Sequence, residues 1–112
     1  MSMATILQEM GCEMEETMER FMDDQEFYVE CFRKFIEDKE LETLGGAIES
    51  DDLEESFTQA HTLKGTLGNL GLTPLYDQMV VIVEFLRKGD MQQASERYQL
   101  LMAEWERYKN LR

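Results

Sequence analysis

His61 is the only histidine in a chain of 112 residues. It stands in the run Gln59-Ala60-His61-Thr62-Leu63-Lys64-Gly65-Thr66-Leu67-Gly68-Asn69-Leu70-Gly71. Imidazole is partly neutral near physiological pH, so one ring nitrogen can act as a nucleophile. Lys64 follows three residues on and Gly65 directly after it. On a helix, where each residue turns about 100°, Leu53, Phe57, Ala60, Leu63, Leu67 and Leu70 gather into one apolar stripe, with His61 at its edge. Gly65 and Gly68 lie within about 40° of His61 on the same side. Lys64 falls between His61 and the stripe, and its long stem brings the ammonium near the ring.

Gly65 and Gly68 are costly in such a helix, together about 2 kcal/mol relative to alanine. Access explains them if a partner's backbone or a phosphoryl group must approach His61. Close packing between helices explains them equally well. Gly71 stands where the helix should stop, as its C-terminal cap.

His61-Thr62-Leu63-Lys64-Gly65 with Gly71 resembles the H-x-x-K-G-x-x-x-x-x-G signature of histidine phosphotransfer (HPt) domains, which carry phosphoryl groups between receiver domains in two-component signalling. The resemblance extends over roughly residues 5 to 110. It implies that His61 is the phosphoacceptor and that Lys64 stabilises the phosphoryl oxygens. It implies that Gly65 and Gly68 leave room for a receiver's acidic pocket. The partners implied are response-regulator receiver domains and hybrid histidine kinases. Mg²⁺ and most of the transition-state stabilisation belong to the receiver, so no metal, cofactor or ATP is expected here. The chain is then a carrier and not an enzyme by itself. Family members often place a carboxylate or amide opposite the histidine to orient its ring. That position falls on Val83, with Glu84 beside it. The ring nitrogen therefore meets a backbone or water partner, or Glu84 serves.

The elements that must position this run are helical. The chain has 43 % apolar residues and one proline, and no segment alternates with period two over a strand's length. Strings of Glu, Met, Leu, Gln and Lys favour helix. The expected fold is all-α: an antiparallel four-helix bundle with short accessory N-terminal helices, residues 1–112 forming a single domain. Residues 3 to 10 form a short helix ended by Gly11. Residues 13 to 22 follow, with Met14, Thr17, Met18, Phe21 and Met22 on one side. Asp23-Asp24 starts a helix whose apolar face is Tyr28, Val29, Cys31, Phe32, Phe35 and Ile36. It continues through Leu41, Leu44 and Ile48, with a kink or a break at Gly45-Gly46. Asp51 with Glu54 reads as an acid-headed capping box for the central helix. Thr73 as N-cap with Pro74 behind it starts the next. That helix runs along Leu75, Met79, Ile82, Val83 and Leu86 to Gly89. Asp90 with Gln93 opens the last, lined by Ala94, Tyr98, Leu101, Trp105 and Tyr108.

The charge narrows the partners. The formal net charge is −13, with 24 acidic residues against 11 basic. Nucleic acid and anionic membrane surfaces are disfavoured, and a protein partner with a basic rim is easier to accommodate. The same acidity also serves solubility alone. Cys12 and Cys31 form no C-x-x-C pair, and no apolar run approaches the roughly 18 residues of a membrane span. The start has no signal-peptide pattern. A cytoplasmic monomer with reduced thiols is expected, and the initiating methionine favours a chain that stands alone. Other chemistries fit less well. A di-iron bundle needs several Glu-x-x-His motifs, and residue 58, three before His61, is Thr. A hydrolytic triad would have to recruit Ser56 or Ser95, and neither has an elbow context. The remaining alternative is a non-phosphorylated acidic helical adaptor.

Overall fold

The computed structural model describes residues 1–111, and among them all regular structure is helical. Seven helices follow in order: α1 (Met3–Glu9), α2 (Met14–Arg20), α3 (Gln25–Glu37), α4 (Glu40–Glu49), α5 (Leu53–Asn69), α6 (Thr73–Arg87) and α7 (Met91–Lys109). Three of the four joints in the bundle, 50–52, 70–72 and 88–90, are three residues long. Such short connections make consecutive helices antiparallel neighbours. Contacts at both ends of α5 and α6 agree, because Gly68 meets Tyr76 while Phe57 meets Arg87.

The four walls of the bundle are α3–α4 taken together, α5, α6 and α7. Their shared core holds Phe32, Leu41, Leu44, Leu63, Leu67, Leu75, Met79, Ile82, Leu101 and Trp105, each 3 % exposed or less. Aromatic rings carry much of the area between α3 and α7. Phe35 meets Trp105 edge-on at 5.4 Å between centroids, and Trp105 stacks on Tyr108 at 6.2 Å. The short helices α1 and α2 cross the end of the bundle where α5 stops and α6 starts. Leu7, Met14 and Met18 are buried there.

Several local expectations shift by a residue or more. Asp52, not Asp51, caps α5. Its side chain accepts from the Glu55 backbone N–H at 3.1 Å, while Asp51 adopts a left-handed φ of 56° in the turn. Leu72 occupies the cap position of α6, and Thr73 lies in its first turn. The Thr73 hydroxyl oxygen instead accepts from the Glu13 N–H at 3.0 Å, which ties the start of α2 to α6. Asp24 and Asp90 cap α3 and α7 as expected, accepting from Phe27 and Gln93 backbone N–H groups. Met22 lies beyond the end of α2 and is 87 % exposed.

The glycine pair Gly45-Gly46 neither kinks nor breaks α4, which runs through both. The break comes earlier, at Lys39, whose φ of 52° separates α3 from α4. Gly45 has a packing role. A Cβ there would lie 2.6 Å from the Tyr98 hydroxyl, which donates to the Leu41 carbonyl at 2.7 Å. The bare backbone lets the ring of Tyr98 lie across α4 and its buried hydroxyl find an acceptor in the Leu41 carbonyl.

Candidate functional site

Helix α5 turns Ser56, Ala60, Leu63 and Leu67 into the core and continues the line at Leu70. The inward line is therefore displaced from the expected stripe at its N-terminal end. Leu53 is 39 % exposed, Phe57 is half-buried, and fully buried Ser56 takes the inward position. Period 3.6 explains the shift: from Leu63, steps of three and four back along the core line reach Ala60 and Ser56. Phe57 is left on the flank that faces α6.

His61 lies at mid-helix, exposed, and farther from the core than the edge position expected of it. Among the described residues its ring nitrogens have no hydrogen-bond partner. Its ring neighbour is Phe57, one turn back, at 5.9 Å between centroids and 34° between planes. Lys64 is half-buried one turn on, and its ammonium enters no ion pair among the described residues. Thr58, Thr62 and Thr66 flank the other side. The hydroxyls of Thr62 and Thr66 donate back to the carbonyls of Thr58 and Thr62, at 3.1 and 3.3 Å, so the helix itself satisfies them.

The three glycines of the run differ in kind. A Cβ on Gly65 would meet no atom within 4 Å, so the surface beside His61 is open there. A Cβ on Gly68 would lie 3.3 Å from the Tyr76 ring, so Gly68 gives α6 a close seat against α5. Gly71 is a third case. Its φ of 72° is the left-handed conformation of a helix C-cap, and a Cβ would overlap Thr17 Oγ1 and lie 2.7 Å from the Glu13 carbonyl oxygen. It ends α5 and also lets α2 approach the end of that helix.

Glu84 does not serve as the orienting group, and Val83, at the position opposite the histidine, has none to offer. Val83 is 1 % exposed and belongs to the core. Glu84 is exposed, with its carboxylate 3.4 Å from Nε of Arg87. The guanidinium of Arg87 lies over Phe57, 5.2 Å from the ring centroid. The series Glu84–Arg87–Phe57–His61 was not anticipated from the sequence. The apolar spacing places Phe57 in the core stripe, although its place four residues before His61 puts the two rings on one helix face. Ser56 and Ser95 form no triad: Ser56 is sealed in the core, and Ser95 lies on α7 near Gly45 and Tyr98. Among the described residues no cluster of His, Cys, Asp and Glu is arranged to hold a metal ion.

An exposed, unpaired imidazole on a mid-bundle helix, with an ammonium one turn on and open backbone beside both, is the arrangement a phosphoryl carrier needs. The Hpt domain family profile matches residues 28–111. The chain belongs to the Hpt domain family. The matched span runs from within the first turn of α3 through α7 and begins later than the resemblance suggested, leaving α1 and α2 outside it. No curated protein and no solved structure gives a significant match. Hpt domains are phosphocarrier modules of two-component signalling that work with receiver domains and kinases, and this membership assigns the chain to phosphotransfer. No helix is long and apolar enough to cross a membrane among the described residues.

Proposed function

We propose that residues 1–112 act as one domain that relays phosphoryl groups between receiver aspartates through phosphohistidine at His61. The observation that carries this reading is the exposed His61 ring at the middle of α5, free of hydrogen bonds among the described residues, with Lys64 one turn on and open space at Gly65. A lone pair on a ring nitrogen attacks the phosphorus of a receiver's aspartyl phosphate. The N–P bond forms, and the P–O bond to the aspartate breaks. The carboxylate leaves with that electron pair, while the other ring nitrogen keeps its proton. The reverse step, with a second receiver, regenerates the imidazole. Lys64, held by no carboxylate among the described residues, swings its ammonium toward the phosphoryl oxygens. Gly65 keeps the approach clear. Gly68 contributes by holding α6 close, so that Tyr76 packs flat beside α5.

The partners on this reading are response-regulator receivers and hybrid histidine kinases, met in the cytoplasm by a monomer. The acidic surface favours a partner with a basic rim. Incubation with a phosphorylated receiver should yield acid-labile, alkali-stable phosphate on the protein. His61→Ala should abolish the label. Equal labelling of His61→Ala and the parent would refute the site. No labelling of a folded parent by any receiver would favour the acidic adaptor.

A further inference from the structure

The His61 ring has to be aimed, and no polar group within the described residues aims it. We propose that Phe57, steadied by Arg87, is the positioning residue for the His61 ring; the proposal rests on His61 being the phosphoacceptor. Side chains on a helix tilt toward its N-terminus, so the residue at i+4 leans back over the one at i. His61 therefore leans over Phe57 and away from Gly65, and the observed contact is a tilted one at 5.9 Å. That direction leaves the backbone at Gly65 uncovered, where a phosphoryl donor can approach.

Phe57 is held in turn. The Arg87 guanidinium covers its ring at 5.2 Å, a cation–π arrangement that draws the ring toward α6. Glu84 pairs with Arg87 at 3.4 Å across one turn of α6. The facing stretch of α6 thus offers no polar orienter: Val83 lies in the core and Glu84 is paired with Arg87. Aromatic contact replaces the hydrogen bond. It restricts the ring plane while leaving both ring nitrogens free of donors and acceptors among the described residues.

Two measurements on the full chain test this. The single histidine gives one set of imidazole NMR signals, so no assignment is needed. Transfer from a phosphorylated receiver at saturating concentration gives the maximal rate apart from affinity. Phe57→Leu keeps the apolar bulk and removes the ring. It should move the His61 ring-proton shifts to those of a free imidazole and slow maximal transfer on the order of tenfold, because misaimed reacting groups lose rate steeply. Phe57→Tyr should keep both near the parent values. Arg87→Gln should fall between, and Arg87→Lys should restore part of the loss. Unchanged shifts and maximal rate in Phe57→Leu, with His61→Ala still inert, would overturn the positioning role and leave the phosphoacceptor assignment standing. A weaker receiver affinity at unchanged maximal rate would also overturn it, making Phe57 a docking contact. Normal labelling of His61→Ala would instead remove the reading on which the proposal rests, whatever the shifts show.

Discussion

Arg20 donates from Nη2 to the Gly68 carbonyl at 3.0 Å, joining α2 to the last turn of the histidine helix. The same nitrogen reaches the Asn69 carbonyl at 3.0 Å and Thr17 Oγ1 at 3.1 Å. The last carbonyls of a helix lack intrahelical partners, and a cation there also suits the helix dipole. The N-terminal segment outside the family match thus closes the C-terminal end of α5. Arg20→Ala should destabilise the fold by about 1 kcal/mol, a modest figure because the site is largely solvated. The urea midpoint should fall with the slope unchanged, and the His61 ring signals should stay in place.

Gly65 and Gly68 should respond differently to alanine. At Gly65 the new methyl meets nothing, and the helix gains propensity. Gly65→Ala should therefore raise stability by up to about 1 kcal/mol. At Gly68 the same gain is offset because the Tyr76 ring must move, and the net change should be near zero or destabilising. Gly65→Gln should fold normally and still slow phosphotransfer, because its side chain fills the open approach beside His61. Denaturant melts and transfer rates on the three variants check the ranking. A Gly65→Gln that transfers at the parent rate would show that the open backbone has no part in access.

Gly71 should be the least replaceable glycine of the motif. Alanine there carries a left-handed backbone cost of about 1–2 kcal/mol, and its methyl must also push α2 away at the Glu13 carbonyl and Thr17. Overpacking adds about 1–3 kcal/mol. Gly71→Ala should lose about 3 kcal/mol overall, visible as a large drop in thermal midpoint. A variant as stable as the parent would contradict the described approach of α2.

The stability of the fold should fall in mild alkali. Burial pushes the Cys12 thiol from 9.0 up to about 11. Between those values the unfolded chain has released a proton that the folded chain still holds, so stability declines as pH rises. Below roughly pH 9 the contribution is complete. Burial also raises the phenols of Tyr28, Tyr98 and Tyr108, which steepens the decline further up the scale. The thermal midpoint should be level up to about pH 8.5 and drop above it, with part of the drop missing in Cys12→Ala. Cys12, 4 % exposed, should also resist alkylation at neutral pH far longer than half-buried Cys31. Equal labelling rates for the two thiols would contradict the burial of Cys12.

Much of this protein was set by local chemistry. Apolar residues at three- and four-residue spacing made the helices, Asp24 and Asp90 capped two of them, and three-residue joints made neighbours antiparallel. The spacing from His61 to Lys64, Gly65 and Gly71 identified the family without reference to packing. These features lie within a few residues of one another along the chain, where helix geometry alone decides who meets whom. Contacts between distant residues were decided only in three dimensions. Whether Gly68 is open or filled depends on Tyr76, and whether Gly45 breaks a helix depends on Tyr98 reaching the Leu41 carbonyl. Phe57 belongs to the core or to the site according to the rotation of α5 against α6. A rotation of a fraction of a turn moves a ring from one to the other, and it is fixed by the summed packing of all the facing side chains. The partner of the His61 ring was therefore hidden in the sequence, although both residues of the pair stand within a single turn.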